Sequence, residues 1–242
     1  MNFFDRPFVI PSIFLAFALL LGLGVVGWGI SARGQQNTIS VTGSASVSAT
    51  ADTATWTIDI SETASTGGVA ASAERVAQDA SAIAKYLTNQ NFSSSTIATA
   101  AVTTNTNYSS NGGPTTYNVT DSVTVSTSDV HKIDALSHDI GSLNNVVMDG
   151  AIVSPEQPQY YVSTLPDIRV SLLGAAIKDA KARATQIAQS GGSSVGPLET
   201  ASSGVVQVLA PNSANVQDYG QYDTSTIQKQ VTVTVRADFY VR

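Results

Sequence analysis

Strict alternation of apolar and polar residues near the C-terminus is the strongest constraint on the fold of this chain. The apolar positions are the odd-numbered ones, Val231, Val233, Val235, Ala237, Phe239 and Val241. Because successive side chains of a β-strand point to opposite faces, the pattern predicts a strand with one buried face, which a second layer must cover. The same period predicts strands over Ile39–Ala49 and Ala54–Ile60, and we expect this pair to meet around Thr50-Ala51-Asp52.

Two long stretches have the period of an amphipathic helix instead. The first has apolar residues in steps of three and four: Val69, Ala73, Val76, Ala80, Ile83 and Leu87. The second begins near Thr164-Leu165-Pro166-Asp167, which has the pattern of a capping box with an early proline, and ends at Gly191-Gly192. Its predicted apolar stripe comprises Leu173, Ile177, Ala180, Ala184 and Ile187.

The remaining segments are shorter. They are predicted strands at Thr99–Tyr108, Thr115–Thr127 and Pro197–Ala210, a short helix from Val130 to Ile140 that ends at Gly141, an extended segment at Val146–Val162, and a long polar loop at Pro211–Thr226. The first two of these strands are expected to form a hairpin. The predicted fold class is α+β, with an antiparallel or mixed β-sheet covered on one face by the two long helices and preceded by one N-terminal transmembrane helix.

That transmembrane helix is predicted from an uncharged apolar run, Phe8–Ile30. As a helix it would be about 34 Å long, enough to cross the hydrocarbon core of a bilayer. A cleaved signal peptide usually has a shorter apolar run and a clear small-x-small site, whereas the best site here, Ile30-Ser31-Ala32, is poor. We therefore expect an uncleaved signal anchor, with a cleaved signal as the alternative. Gly22-x-Gly24-x-x-Gly27 is interpreted as part of this helix, because the run before it is too long for the strand of a dinucleotide-binding motif.

The expected organisation therefore has four parts. Residues 1–7 are a short N-terminal segment, 8–30 the transmembrane signal anchor, 31–37 a linker and 38–242 one folded domain. The expected location is a bacterial inner membrane, crossed once, with the C-terminal domain in the periplasm.

Composition argues against several classes of function. The chain has a net charge of −6 and only 12 Lys and Arg residues, so it lacks a basic stripe for nucleic acid. It has no cysteine, which excludes disulfides, thiolate catalysis, iron–sulfur clusters and cysteine-ligated zinc. With only two histidines, a metal site would need mostly carboxylates. No cofactor and no nucleic-acid partner is predicted.

No catalytic, cofactor-binding or metal-binding residue is predicted. Gly192-Ser193-Ser194-Val195-Gly196 matches the nucleophile-elbow string, but it follows a helix and precedes a strand, the reverse of the order that an elbow needs. His131 and His138 lie two helical turns apart, about 10 Å, too far to share one metal ion without other ligands. The sequence does not pair the carboxylates as acid and base; the candidates are Asp52, Asp59, Glu62, Asp121, Asp149, Glu156 and Asp167.

Tyrosines supply the candidate contact residues instead. Tyr219 and Tyr222 lie in the long polar loop, and Tyr160 and Tyr161 lie in the extended segment before the second long helix. Tyrosines in weakly charged loops suit contacts with proteins or glycans, so these four residues look exposed and are candidate contact residues, with ordinary loop aromatics as the alternative.

Several segments of the domain together resemble bacterial SIMPL-domain proteins. They are the opening strand Ile39-Ser40-Val41-Thr42-Gly43, the Ala-rich first helix, the Tyr117–Thr127 strand before a short helix, the Ala175–Ala184 helix closing at Gly191-Gly192 and Val195-Gly196-Pro197, and the C-terminal Val-Thr-Val strand. The resemblance covers about 38–242. It implies an exported, envelope-associated protein, of a family in which some members form large ring-like homo-oligomers and some are linked to stress tolerance. The family offers no agreed catalytic residues to assign here.

Two hypotheses of function follow. The first is a membrane-anchored, non-enzymatic envelope protein that assembles with itself into a homo-oligomer, a ring being one expected form, with a structural or stress-tolerance role. Its partners would be further copies of the chain, the lipid bilayer, and other envelope proteins or glycans. The alternative is an envelope hydrolase acting on cell-wall or glycan substrates. An enzyme requires a concave site where polar groups converge, whereas a scaffold has apolar faces that can pair.

Overall fold

Strands and helices alternate irregularly along the chain. The computed structural model describes residues 37–109, 113–148, 150–213 and 220–242. Its strands are β1 (Thr38–Thr50), β2 (Thr53–Ser65), β3 (Ile97–Thr99), β4 (Thr103–Asn107), β5 (Thr116–Thr127), β6 (Ile152–Pro155), β7 (Gln159–Tyr161), β8 (Val195–Leu209) and β9 (Gln228–Val241). Its helices are α1 (Val69–Asn89), α2 (Val130–Ser137), α3 (Ile140–Asn144) and α4 (Leu165–Ser190), with a 3₁₀ turn at Ser94–Thr96. The predicted α+β class is confirmed.

Contacts divide the described residues into two compact units. The large unit comprises Ser44–Ala176 and Ser203–Thr234. The small unit comprises 37–43, Ile177–Ser202 and Val235–Arg242. The strands form a six-stranded sheet, which lies in the large unit, and a three-stranded sheet with the order β1-β9-β8.

The centre of the six-stranded sheet is the antiparallel pair of β2 and β5. This pair is in register from Ala54, opposite Thr127, to Ser65, opposite Thr116. β3 and β4 pair with successive parts of β5, and β6 and β7 pair with successive parts of β2, all antiparallel. The β4–β5 pair confirms the predicted hairpin. The strand predicted at Thr99–Tyr108 is, however, divided into β3 and β4.

Helix α1 covers one face of the six-stranded sheet. Its predicted apolar stripe is confirmed, because Val76, Ala80, Ile83 and Leu87 are fully buried and Val69 and Ala73 pack beside them. The buried sheet residues of the same cluster include Ala54, Trp56, Ile58 and Ile60 of β2 and Val119, Val123 and Val125 of β5. Removing these side chains from water is the main favourable contribution to the stability of the large unit.

The middle strand of the three-stranded sheet is β9. Its predicted buried face is confirmed, since Val231, Val233, Val235, Ala237 and Phe239 are at most 2% exposed. In the large unit, Val231 and Val233 pack with Leu172 of α4 and Val208 of β8. In the small unit, the corresponding cluster contains Ala237, Phe239, Val41, Ala180 and Ala184.

The expected pairing of β1 with β2 is wrong. β1 pairs with β9, whereas β2 pairs with β5, β6 and β7, so these consecutive strands belong to different sheets. The two residues between them show the reason. The Ala51 N–H donates to the Ile227 carbonyl at 2.8 Å, and the Asp52 N–H donates to the Tyr161 carbonyl at 2.9 Å. Remote segments satisfy both donors, so no tight turn forms, and the single predicted sheet is replaced by two.

The buried stripe of α4 also differs from the prediction. Ala180 and Ala184 are buried as predicted, but the other buried apolar positions are Leu172, Ala176 and Ala188, in steps of four. Ile187, predicted to be part of the stripe, is 53% exposed. Four of these five buried positions are alanines, which allow the helix to lie close against its neighbours, and Leu172 is the one large residue among them.

The short helix predicted from Val130 to Ile140 is two helices. α2 ends at Ser137, and the Asp139 side chain then accepts a hydrogen bond from the Ser142 N–H, which caps the N-terminus of α3. Gly141, expected to end the helix, lies inside α3. An Asp at this position can start a new helix because its carboxylate satisfies a backbone donor that the first turn leaves free.

The predicted signal anchor at Phe8–Ile30 lies outside the described residues. Among the helices that are described, none combines the length and the apolar content needed to cross a bilayer. The anchor therefore stays a prediction from the sequence.

Candidate contact sites

Two of the four predicted contact tyrosines form an aromatic pair in the large unit. The ring centroids of Tyr161 and Tyr222 are 5.8 Å apart, with the ring planes tilted by 35°. The Val162 N–H donates to the Tyr222 hydroxyl at 2.8 Å, which fixes that ring against the end of β7. Both side chains are half-buried, so each retains accessible surface. Tyr219 lies outside the described residues.

Tyr160 is not the exposed residue that was predicted. It is 3% exposed, and its hydroxyl donates to a carboxylate oxygen of Asp134 at 3.0 Å. Burial, followed by this hydrogen bond to a carboxylate, raises the pKa of the Tyr160 hydroxyl well above its usual value. Alternation along β7 explains the difference, because neighbouring strand residues point to opposite faces and only one of two adjacent tyrosines can face solvent.

A buried lysine, Lys229, lies close to the Tyr222 ring. The Lys229 ammonium donates to the Asp223 carbonyl and lies 5.8 Å from the centroid of the Tyr222 ring. Burial lowers the pKa of Lys229, and the nearby Asp223 carboxylate opposes that effect. Lys229 was not singled out in the sequence analysis. Its burial was predictable, because position 229 continues the odd-numbered buried face of β9.

The face of the six-stranded sheet opposite α1 consists almost entirely of uncharged polar side chains, and we call it the hydroxyl face. In β2 and β5 it comprises Thr53, Thr55, Thr57, Ser61, Thr63 and Ser65, with Thr116, Asn118, Thr120, Ser122, Thr124 and Ser126 opposite or beside them. Flanking strands add polar residues such as Thr103, Asn105, Ser154 and Gln159, and one apolar residue, Ile152, which lies opposite Ser61 and is 59% exposed. Every one of these side chains is at least partly exposed. Asp59 is the one charged residue among the β-strand residues of this face, and the exposed Glu156 follows β6, where its N–H donates to the Thr57 carbonyl.

The hydroxyls of this face form lateral pairs across the central strands. The Thr57 and Thr124 hydroxyl oxygens lie 3.1 Å apart, and those of Thr55 and Ser126 lie 3.2 Å apart. Tyr161 is on the same face, because it lies directly opposite Thr53 in the β2–β7 register. The aromatic pair therefore borders one end of the hydroxyl face.

A second feature of the large unit is an apolar cavity of about 540 Å³ between the start of α4 and β8. Its lining residues are Leu165, Pro166, Arg169, Val170, Leu173, Ser203 and Val206. Arg169 is the one charged side chain among them. Val170 is 71% exposed, so an aliphatic surface is open to solvent at the rim. Such a lining suits contact with apolar side chains and not acid–base chemistry.

The comparison with known families now decides the identity of the domain. The family model SIMPL, described as a protein of unknown function (DUF541), matches residues 39–239. The chain belongs to the SIMPL family. This confirms the resemblance seen in the sequence. No curated protein matches the chain.

Among the described residues, Asp79 of α1 is a buried carboxylate with one oxygen that has no hydrogen-bond partner. Asp79 is 2% exposed; its Oδ1 accepts a hydrogen bond from the Met148 N–H at 2.8 Å, and its Oδ2 has no partner. Glu62 and Arg75 lie nearby and form an ion pair with each other. Burial raises the pKa of Asp79, with the Glu62 charge acting in the same direction, while the Met148 hydrogen bond and Arg75 oppose the increase.

Replacing Asp79 by asparagine should therefore increase the free energy of unfolding at neutral pH. A carboxyl whose pKa is raised on folding destabilises the folded state once it is ionised, and this cost decreases as pH falls through the folded pKa. The amide of Asp79→Asn keeps an acceptor for the Met148 N–H and carries no charge. Urea unfolding of both proteins across acidic and neutral pH measures the difference, which should shrink toward acid. A constant difference would show that the ionisation of Asp79 does not contribute.

Other motifs of the SIMPL domain have structural roles. The Ser194 N–H donates to the Arg242 carbonyl and the Arg242 N–H donates back to Ser194, so the G-x-S-x-G string starts β8 and is not an elbow. His138 ends α2, where its ring nitrogen lies 3.1 Å from the Ser137 hydroxyl. In the part of the chain that the structure describes, no cluster of three or more His, Asp or Glu side chains could hold a metal ion.

The candidate carboxylates are dispersed. Asp52 accepts hydrogen bonds from the Ser163 N–H and hydroxyl, which lower the pKa of Asp52, and Glu62 pairs with Arg75. Asp121 is buried, Asp59 lies on the hydroxyl face, and Asp167 lies in the first turn of α4. The Glu156 backbone carbonyl accepts a hydrogen bond from the Trp56 indole N–H. Asp149 lies outside the described residues.

Proposed function

We propose that this SIMPL protein is a non-enzymatic component of the bacterial cell envelope that assembles into a homo-oligomer. Residues 8–30 anchor it in the inner membrane, and the domain lies in the periplasm. Its role is structural or serves stress tolerance, as the family resemblance implies. The observation that carries the proposal is an apolar cavity directly beside an outer strand, β8.

The exposed part of β8 can accept a further strand. β8 is an outer strand of its sheet, and residues 197–205 are all exposed. An outer strand presents unpaired backbone groups, and natural proteins usually protect such edges with charged side chains. Glu199 is the one charged residue in this stretch. Strand addition by another chain would satisfy those backbone groups.

The cavity provides a pocket for side chains of the added strand. In this mode of binding, backbone hydrogen bonds provide affinity and pockets for alternate side chains provide specificity. The cavity contains Ser203 and Val206 of β8 and the aliphatic side chains of α4, so a strand placed along this edge would insert apolar side chains there. A second copy offers such a strand in β1, the other outer strand of the three-stranded sheet, which carries the exposed apolar residue Val47.

The anchor favours assembly. Confinement of many copies to one membrane raises their effective concentration, so weak contacts are sufficient to close a symmetric oligomer. An asymmetric contact, in which one edge binds a different surface of the next copy, closes into a ring when the rotation permits.

Dispersal of the carboxylates favours a non-enzymatic role over the hydrolase alternative. Hydrolysis of a glycan bond usually requires two carboxyl groups flanking one site, one of them available as an acid. Of the candidate carboxylates, Asp52 accepts from Ser163, Glu62 pairs with Arg75, Asp121 is buried and Asp59 lies on a sheet surface.

Val170→Lys should dissociate the oligomer, whereas Ile187→Lys should not. Both residues are exposed apolar side chains of α4, at 71% and 53%, so lysine should be tolerated in the isolated chain. Only Val170 lines the cavity, and a lysine there would leave an unpaired charge in the contact. Sedimentation velocity of the full-length variants in detergent measures the effect. Equal sedimentation of the two variants would exclude the cavity from the contact.

The mature protein should retain its N-terminal segment. The apolar run is long and the cleavage site after it is poor, so the signal peptidase should not remove it. Intact mass spectrometry of the membrane fraction should therefore give about 25.1 kDa. A shorter chain that begins near Arg33 would contradict the anchor and leave the domain free in the periplasm.

A further inference from the structure

We propose that the hydroxyl face binds a neutral, polyhydroxylated polymer, a glycan strand, with Tyr161 as an aromatic contact at one end. The inference concerns a surface of the large unit that lies on β2, β5 and their flanking strands, and it goes beyond self-assembly. It rests on the composition of that face, its regular geometry and the aromatic pair at its border.

Side-chain preferences of strands do not account for this surface. Threonine is favoured in strands because its branched side chain fits a pleated surface, so threonine alone would indicate little. Designed soluble proteins are, by comparison, given charged residues at about a quarter to a third of their surface positions. Here Asp59 is the one charged strand residue on a face that spans the whole sheet, and Glu156 lies beside Thr57 just after β6. Charge is sparse over the whole chain, at 12%, so the inference rests on the regular rows of hydroxyl groups and not on the lack of charge alone.

The chemistry of the face selects among classes of partner. Nucleic acids and anionic membranes need Lys or Arg side chains, and this face has none among its described residues. Protein interfaces have apolar and aromatic centres in which serine is depleted, whereas serine and threonine occupy the centre here. A neutral glycan fits, because it offers hydroxyl groups that both donate and accept hydrogen bonds.

Each hydroxyl of the face has capacity for such bonds. A serine or threonine hydroxyl donates one hydrogen bond and accepts two, and the lateral pair of Thr57 with Thr124 uses only part of that capacity. The pairing holds the hydroxyls in place, and the branched threonine side chain is stiff at its first torsion. Ordering these groups on binding therefore costs little entropy.

The sheet arranges these groups as a grid. Side chains on one face repeat about every 6.8 Å along a strand, and neighbouring strands are about 4.8 Å apart. β2 and β5 are paired over their full common length. A linear polymer lying on the sheet can therefore make the same weak contact many times, which raises its overall affinity far above that of one sugar unit.

Tyr161 adds the apolar contact that a sugar ring requires. A tyrosine has an apolar ring face and a polar tip, and the Tyr161 hydroxyl donates to the Gln159 side chain on the same face. Tyr222 supports the ring at 5.8 Å. An apolar face beside rows of hydroxyls matches the chemistry of a sugar, whose C–H groups and hydroxyls lie on different sides.

The test is a binding titration of the full-length protein with two neutral probes, the hexamer of N-acetylglucosamine and cellohexaose. The protein is kept in a polyoxyethylene detergent, because detergents with sugar headgroups would compete. Calorimetry of the wild type should give saturable binding of at least one probe. Tyr161→Ala should weaken it about tenfold, the loss of one aromatic contact.

Matched variants locate the binding surface. The double variant Thr57→Val and Thr124→Val keeps shape and strand preference but removes one lateral hydroxyl pair, and it should also weaken binding about tenfold, the effect of one or two hydrogen bonds. The controls are Thr232→Val, a strand threonine in β9, and Tyr108→Ala, which removes a tyrosine that is 82% exposed elsewhere. Both should bind as the wild type does. Circular dichroism checks that each variant is folded.

Three results would overturn the inference. The first is that the wild type binds neither neutral probe, and the second is that the face variants bind as well as the controls. The third is a change of oligomer mass in the double Thr→Val variant, which would make a second copy the occupant of the face. Failure of glycan binding leaves self-assembly through β8 unaffected, since that contact uses other residues.

Discussion

Val231→Asp is expected to unfold the part of the three-stranded sheet that lies in the large unit, whereas Thr232→Asp should leave the protein folded. Val231 is fully buried and packs with Leu172 and Val208, so an aspartate there would place an unpaired charge in an apolar cluster. The cost is several kcal/mol, against a total stability of about 5–15 kcal/mol for a typical domain. Thr232 points to the opposite, half-exposed face, where a charge remains hydrated.

Thermal unfolding followed by circular dichroism measures this difference. We expect Val231→Asp to lose most of its cooperative transition at neutral pH, and Thr232→Asp to melt within a few degrees of the wild type, as surface substitutions usually do. Val231→Ala is a useful intermediate, because it removes volume without adding charge. Equal melting temperatures for the two aspartate variants would mean that β9 buries the other face.

Trp56→Ala should cause the largest loss of stability in the six-stranded sheet. Trp56 is 0% exposed at the centre of the cluster beneath α1, and its indole N–H donates to the Glu156 carbonyl at 2.9 Å. Removing a buried tryptophan costs about 3–5 kcal/mol through lost burial and the cavity that remains. The Glu156 carbonyl also loses its donor, which adds to the cost.

Trp56→Phe separates these two contributions. Phenylalanine keeps an aromatic ring in the core but has no N–H, so the variant should lie between the wild type and Trp56→Ala in free energy of unfolding. Urea titration of the three proteins, with equal slopes required for a valid comparison, gives the ranking. A Trp56→Ala protein as stable as the wild type would contradict the burial of this side chain.

Elements of this fold were predictable where the signal is local. The face of β9 and the stripe of α1 follow from periods of two and 3.6 residues, which a few neighbouring residues determine. Strand pairing is different, because it depends on which remote segment satisfies the backbone donors. Ala51 and Asp52 looked like a turn but donate to Ile227 and Tyr161, and nothing near them in the sequence carries that information.

For the candidate contact residues, too, local features were predictable from the sequence and contacts between remote segments were not. Tyr161 and Tyr222 could be proposed one by one as loop aromatics, but their contact joins residues that are far apart in sequence and depends on the path of residues 220–226. The hydroxyl face becomes visible only in the register of β2 with β5, because each strand alone is an ordinary threonine-rich strand. For α4, the prediction followed the large apolar residues, whereas the contact face consists of Leu172 and four alanines and leaves Ile187 exposed.

Mass measurement of the full-length protein tests the central claim, self-assembly, most directly. The sample is solubilised in detergent at micromolar concentration, and light scattering with subtraction of bound detergent gives the protein mass. We expect a defined multiple of the chain mass of 25.1 kDa, at one value over a tenfold range of concentration. A mass of a single chain throughout that range would contradict the account.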